Sequence, residues 1–168
     1  MMCGITGTPG TGKSLIGEEL ARRGHTVVHL TATVGTYVIG DDEERDAQIT
    51  DVDRWSAEFV PINGFVEGHI AHLLPCDRIV VLRCRPDELE KRLARRKYRE
   101  TKIRENAQAE ALDVCLIETI DEFESSQIFE LDTAGHDAVY CADRIEGFYR
   151  GEIPADFGHL DWSEYLEI

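Results

Sequence analysis

The sequence has little of several things. Its five cysteines (Cys3, Cys76, Cys84, Cys115 and Cys141) are odd in number, scattered and nowhere spaced C-x-x-C. They signal neither a disulfide framework nor a thiolate zinc site, and they read as small apolar residues of a reducing compartment. No apolar run approaches the roughly 18 residues of a membrane span. The amino terminus enters an apolar segment directly, without a basic stretch and a cleavable apolar core, so export is not expected and a cytoplasmic location is. Positive charge is scarce: 18 Lys and Arg stand against 33 Asp and Glu, a net charge of −15. Such a balance argues against generic binding to nucleic acid or to an anionic membrane. Internal repeats and low-complexity segments are absent, and 168 residues leave no room for a second catalytic domain.

What is present is a chain of 42% apolar residues, enough for a single well-buried core. Its charge is unevenly placed. Between Arg83 and Arg104 ten basic residues face four acidic ones, a local +6 that leaves −21 for the rest of the molecule. Apolar runs that suit strands fall at Met2–Thr6, Thr26–Leu30, Gly64–Glu67, Ile79–Arg83 and Ile128–Leu131. Continuous runs such as Ile79-Val80-Val81-Leu82 fit strands buried on both faces of a parallel sheet. Helical patterns lie between them. Pro86-Asp87-Glu88 opens one helix, with a proline and two acids where the first turn favours them. Leu112, Cys115, Leu116, Thr119, Ile120 and Phe123 predict another with one stripe on the core, and Ala138, Ala142, Ile145 and Tyr149 a third. Strand–helix alternation predicts an α/β fold with its ligand at the carboxyl edge of the strands, in the loops after Thr6, Leu30, Glu67 and Arg83.

Directly after the first strand comes Gly7-Thr8-Pro9-Gly10-Thr11-Gly12-Lys13-Ser14, a full match to G-x-x-x-x-G-K-[ST] in a strand–loop–helix setting. The glycines let backbone N–H groups turn inward around phosphate oxygens, and the following helix adds its dipole. Lys13 can reach the β- and γ-phosphates, and the Ser14 hydroxyl can ligate magnesium. Glu67, closing a later strand, is a candidate to hold a magnesium-bound water or orient an attacking group; the other reading is an ordinary strand-end carboxylate. His69 is either a polar contact beside the phosphates or a structural histidine. His72 follows three residues on, but no further ligands support a zinc pair. The basic segment of Arg92, Arg95, Arg96, Lys97, Arg99 and Lys102 around Tyr98 suits a lid that neutralises phosphate charge. A solvated helix face, with Glu88 and Arg92 as an i, i+4 pair, is its alternative.

Taken together, these stretches resemble one family along nearly the whole chain: the small atypical adenylate kinases of the isoenzyme 6 type, in their archaeal branch, which also serve small-ribosomal-subunit maturation. The resemblance is carried by the phosphate loop and by Asp41–Asp46 (DDEERD) with Ile49–Arg54 (ITDVDR). Val66–Asp77 (VEGHIAHLLPCD), the segment from Leu82 to Tyr98, Lys102–Val114 with its Asn106-x-Gln108-x-Glu110 pattern, and Leu160–Ile168 (LDWSEYLEI) add to it. The resemblance implies a P-loop, nucleoside monophosphate kinase-like three-layer sandwich on a five-stranded parallel sheet. It implies ATP:AMP phosphotransfer with Mg2+, and ATPase activity. ATP would be held by Gly10, Thr11, Gly12, Lys13, Ser14, Leu15 and Arg96; Lys13, Glu67, His69 and Arg96 would be catalytic, and Ser14 and Glu67 would serve the metal. The single domain would carry a monophosphate-binding region at about 29–49, a lid at about 95–105 and an acidic tail at 151–168. Implied partners are ATP, AMP, a basic small-subunit ribosomal protein and the pre-ribosomal particle.

Two positions depart from the family. Leu15 stands where a second hydroxyl often follows the loop, and no arginine lies between Leu30 and Gly40, so backbone amides or Arg45 would have to grip a monophosphate. An assembly ATPase with little kinase activity and a kinase for another small acceptor therefore stand as alternatives.

Overall fold

The structure, a computed structural model, describes residues 1–44 and 47–166. In chain order its elements are β1 (Met2–Gly7), α1 (Lys13–Arg22), β2 (Val27–His29), β3 (Val38–Asp42), β4 (Ala47–Thr50), α2 (Val52–Glu58) and β5 (Gly64–Glu67). They continue with β6 (Arg78–Arg83), α3 (Pro86–Arg95), α4 (Glu100–Ala111), α5 (Val114–Glu122), β7 (Ile128–Asp132) and α6 (Ala138–Tyr149). Five strands form a parallel sheet in the order β2-β5-β1-β6-β7.

Alternation along the buried strands separates two apolar layers. Cys3, Ile5, Phe65, Val80 and Leu82 face α1 and α6, meeting Ile16, Leu20, Ala142, Ile145 and Phe148. Met2, Val66, Ile79 and Val81 face the other way, onto Trp55 of α2 and Cys115 and Leu116 of α5. The sheet between two helical layers is the three-layer α/β sandwich expected. A smaller cluster of Cys84, Leu89 and Leu93, backed by Tyr98 and Ile103, lies under the α3–α4 hairpin. Pro86 occupies the first turn of α3 with Asp87 and Glu88, and Arg92 and Arg95 end it, each matched to the helix dipole. All five cysteines are free and buried, distributed through these clusters.

One local expectation is corrected, and two features are added to it. The helical stripe beginning at Leu112 does not run as one helix: Asp113 takes φ 58 between α4 and α5, Leu112 is 53% exposed, and Ile120 also faces solvent. Cys115, Leu116 and Thr119 of that stripe are buried, and Phe123, just past α5, packs half-buried against the same core. The break turns the Asp113 carboxylate onto Arg83, an ion pair that apolar spacing does not encode. The run Thr26–Leu30 gives a three-residue strand, with Leu30 already in a short 3-10 turn. Finally, β3 and β4 pair as an antiparallel hairpin apart from the main sheet. It has little apolar burial, Ile39 being 70% exposed, so no clear alternating pattern marks it.

Past α6 the chain returns along the sheet edge, where Asp156 bridges to Phe129 and the Gly158 amide donates to Glu130 Oε2 at 2.7 Å. Trp162 then covers Arg83, whose guanidinium carbon lies 4.8 Å from the indole centroid. Arg83 is fully buried, with Nε donating to Glu110 Oε1 at 2.8 Å and its other nitrogens reaching Glu130 and Asp113. Burial disfavours its charge, and these carboxylates override that and raise its pKa. The expected acidic tail ends at Glu167 and Ile168, outside the described residues. Among the described residues no helix is long and apolar enough to cross a membrane.

Candidate nucleotide site

The glycine-rich loop joins the carboxyl end of β1 to the amino end of α1. Gly10 and Gly12 take φ 93 and 104, a region open to glycine and strained for other residues, and this curls the backbone over the start of α1. Thr11 is buried, its hydroxyl donating to Thr8 O at 2.8 Å. The Lys13 ammonium donates to Gly7 O at 2.7 Å and Thr8 O at 3.0 Å, folding back on the loop that it would leave to meet phosphate. Burial, with Arg96 nearby, brings its pKa down to about 8, against Cys115, Glu67 and Glu110, which raise it. Ser14 stands exposed in the first turn of α1.

Glu67 ends β5 beside this loop, 4% exposed, and His29 at the end of β2 meets it through Nδ1 on Oε1. Gly17 of α1 permits this approach: a Cβ there would lie 3.2 Å from Glu67 Cγ and 3.4 Å from His29 Cε1. His69 is exposed as a residue, yet its Nδ1 lies 3.2 Å from Gly7 O. Burial of the ring and the charge of Lys13 hold its pKa below the ordinary histidine value. His72 meets the Thr6 hydroxyl at 2.9 Å and Glu118 at 3.1 Å.

On the other side of the loop opens a cleft of about 550 Å³ between Gly10–Gly12, Leu15 and the arginines of α3. Arg92, Arg95 and Arg96 line it opposite the loop. Arg96 caps α3, and Lys97 beside it takes φ 60, marking a tight joint before α4. Arg92 donates to Thr133 Oγ1 at 3.1 Å and to Thr133 O at 2.9 Å; Thr133 in turn donates to Thr11 O at 2.8 Å. The structure thus gathers Gly10, Thr11, Gly12, Leu15 and Arg96 around one cavity, with Lys13 on the loop itself and Glu67 and His69 beyond its far side.

The loop from Thr133 to Asp137, which lines the same cleft, escaped the sequence reading. The signal was available: it follows a recognised strand at its carboxyl end, and the edge rule applied to the first four strands extends to the fifth. His136 there stacks on Tyr140 with centroids 4.1 Å apart, a flat surface at the cleft wall.

A parallel sheet with a glycine-rich loop between its central strand and the following helix, and arginines across a cleft, defines a P-loop fold of the nucleoside monophosphate kinase-like type. The chain belongs to the AAA domain family, which matches residues 3–113, and to one family with archaeal proteins that carry the name "Putative adenylate kinase". The protein of that name from Archaeoglobus fulgidus is 38% identical over 174 residues, spanning 99% of this chain and 94% of its own. The one from Natronomonas pharaonis is 38% identical over 169 residues, spanning 99% and 100%. Among solved structures, a gluconokinase from Sinorhizobium meliloti superposes with a TM-score of 0.55 at 17% identity, over 90% of this chain and 97% of that one, a likeness of fold.

Proposed function

We propose that the protein is a cytoplasmic adenylate kinase of the isoenzyme 6 type, transferring the γ-phosphoryl group of ATP to AMP and hydrolysing ATP when no acceptor is held. The observation that carries this reading is the loop itself, with the Lys13 ammonium folded onto Gly7 O and Thr8 O and Gly10–Gly12 facing Arg92, Arg95 and Arg96 across a cleft. Phosphoryl transfer asks for positioning and charge stabilisation rather than covalent help, and this arrangement supplies both. An acceptor phosphate oxygen attacks the γ-phosphorus in line, the bond to the β–γ bridging oxygen breaks, and ADP departs. Lys13 turns from the loop carbonyls to the phosphates; Arg96 offsets the charge of the equatorial oxygens. His69, kept neutral by its surroundings, orients the attacking group or a water. Ser14 and Glu67 offer the oxygen donors that Mg2+ favours and would hold it, where it would screen and orient the phosphates.

The acceptor end falls to the region around 29–49, from His29 to the β3–β4 hairpin, and the segment 95–105 at the α3–α4 joint acts as lid. Arg45, the candidate cation for the acceptor, lies outside the described residues. ADP formation from ATP alone, and from ATP with AMP, CMP, UMP or GMP, tests the assignment. Stimulation by AMP alone is expected. Equal rates with and without every acceptor refute the kinase and favour the ATPase, and activity with a different acceptor refutes the adenylate specificity.

A second reading, compatible with the first, is an ATP-driven factor in maturation of the small ribosomal subunit that holds a basic ribosomal protein. Charge favours it: residues 105–143 contain eleven acids and no Lys or Arg, with Glu118, Asp121 and Glu122 exposed on α5. A pull-down from ribosomal extract at low and moderate salt checks it; retention of no basic ribosomal protein refutes it.

A further inference from the structure

We propose that Glu110 is a positioning residue for the phosphate loop, acting through the hydroxyl of Thr8. The inference rests on the reading of the loop as an ATP site. Glu110 ends the Asn106-x-Gln108-x-Glu110 pattern, a feature of the sequence that the phosphotransfer chemistry leaves unused. Asn106 donates within α4, to Lys102 O at 2.7 Å, and Gln108 is exposed. Glu110 instead turns inward and is 1% exposed.

A carboxylate so buried needs donors on both oxygens. Oε1 accepts from Arg83 Nε at 2.8 Å and from the Cys84 amide at 3.0 Å, which compensates its charge. Oε2 is taken by the Thr8 hydroxyl. The loop pattern leaves position 8 open to any residue, so nothing in phosphate cradling itself asks for a hydroxyl there. Thr8 is nonetheless the residue whose carbonyl accepts from Lys13 Nζ at 3.0 Å and from Thr11 Oγ1 at 2.8 Å. A displacement of Thr8 therefore reaches Lys13 through a single residue.

Glu110 is itself well anchored. Arg83 Nη2 donates to Glu110 O at 3.0 Å, and Arg83 is fixed by Glu130, Asp113 and the Trp162 ring. The phosphate loop is thereby bound to the end of α4, the helix behind the lid, and the two share one geometry. Precise donor placement is what a phosphate site needs, so loosening Thr8 weakens transfer without removing any group that touches ATP.

The test compares Thr8→Val, which keeps volume and deletes the hydroxyl, with Thr8→Ser, which restores it. Glu110→Asp keeps the charge beside Arg83 but withdraws the carboxylate from Thr8, and the double variant closes the cycle. ATP binding by calorimetry, kcat and KM for ATP, and thermal unfolding are measured for each. Thr8→Val is expected to lower kcat/KM about tenfold or more, equivalent to about 1.4 kcal/mol, while folded at the assay temperature. Thr8→Ser stays within about twofold, and the double variant is no worse than the poorer single one. Wild-type protein that binds ATP, together with Thr8→Val within twofold of wild type or with multiplying effects of Thr8→Val and Glu110→Asp, overturns this proposal alone. Wild-type protein that fails to bind ATP overturns the ATP site and this proposal with it.

Discussion

Replacing Arg83 by methionine is the most demanding test of how the sheet edge is held. The side chain is 1% exposed, and methionine fills much of its volume, so the change removes charge more than packing. What remains is Glu110 and Glu130, 1% and 3% exposed, facing each other across the lost cation. Asp113, 36% exposed, keeps access to water and adds little. Removing one partner of a buried ion pair costs about 3–5 kcal/mol, a large share of the roughly 5–15 kcal/mol that holds a domain together. At about 2–4 °C per kcal/mol for a chain of this length, the melting temperature should fall by roughly 6–20 °C. Urea unfolding followed by circular dichroism gives the free energy directly, and an unchanged slope shows that folded and unfolded ensembles stay comparable. Replacing both acids as well, in Arg83→Met/Glu110→Gln/Glu130→Gln, should recover at least about half of the loss, because no fully buried charge is left uncompensated. A loss below about 1 kcal/mol for Arg83→Met would refute the claim that this cation organises the cluster.

Lys13→Ala should lower turnover by about a hundredfold or more while leaving the melting temperature within a few degrees, since among the described residues the side chain hydrogen-bonds loop carbonyls alone; full activity in steady-state assays contradicts the site. Gly10→Ala places a Cβ 2.9 Å from both Leu89 Cδ1 and Leu93 Cδ2 at φ 93, and ATP affinity by calorimetry should drop about tenfold or more. In Arg23→Ala the joint between α1 and α6 loses its cation. Arg22 and Arg23 hold the Glu19 carboxyl at about 2, and His25 and Arg23 overcome burial to hold Glu146 below its usual value. Carboxyls depressed in the folded state contribute stability above their unfolded value, and that contribution is lost as pH falls from about 4.5 towards 2. Acid unfolding of Arg23→Ala should therefore begin at higher pH than in wild type, and coincident acid transitions contradict the linkage.

The parts of the structure that repeat a short physical rule were legible in the sequence. All five parallel strands end within a residue of their apolar runs, and Pro86-Asp87-Glu88 marked the start of α3 because dipole and proline effects act locally. The phosphate loop was legible because its glycines and Lys13 are constrained by backbone geometry rather than by distant neighbours. What escaped depends on contacts distant along the chain. Asp113 breaks the Leu112 stripe in order to reach Arg83, thirty residues away. Glu67 reads in sequence as a magnesium-serving or an ordinary strand-end carboxylate, and neither reading anticipates His29, which meets it from 38 residues upstream. The β3–β4 hairpin buries too little to leave a period, and the Thr133–Asp137 loop joins the cleft only because β7 lies at the end of the sheet next to β6.

The placement of the thiols has a practical consequence. Cys3 and Cys141 lie in the layer under α1 and α6, Cys76 and Cys115 in the layer under α2 and α5, and Cys84 beneath the α3–α4 hairpin. Burial pushes Cys115 and Cys141 up to about 11 and Cys76 and Cys84 up to about 12, so each is nearly silent towards alkylating reagents in the closed protein. Each becomes reactive only when its own layer opens. Pulse alkylation read by mass spectrometry would therefore time the opening of three separate compartments in one unmodified chain, with Cys84 reporting the lid base apart from the two faces of the sheet.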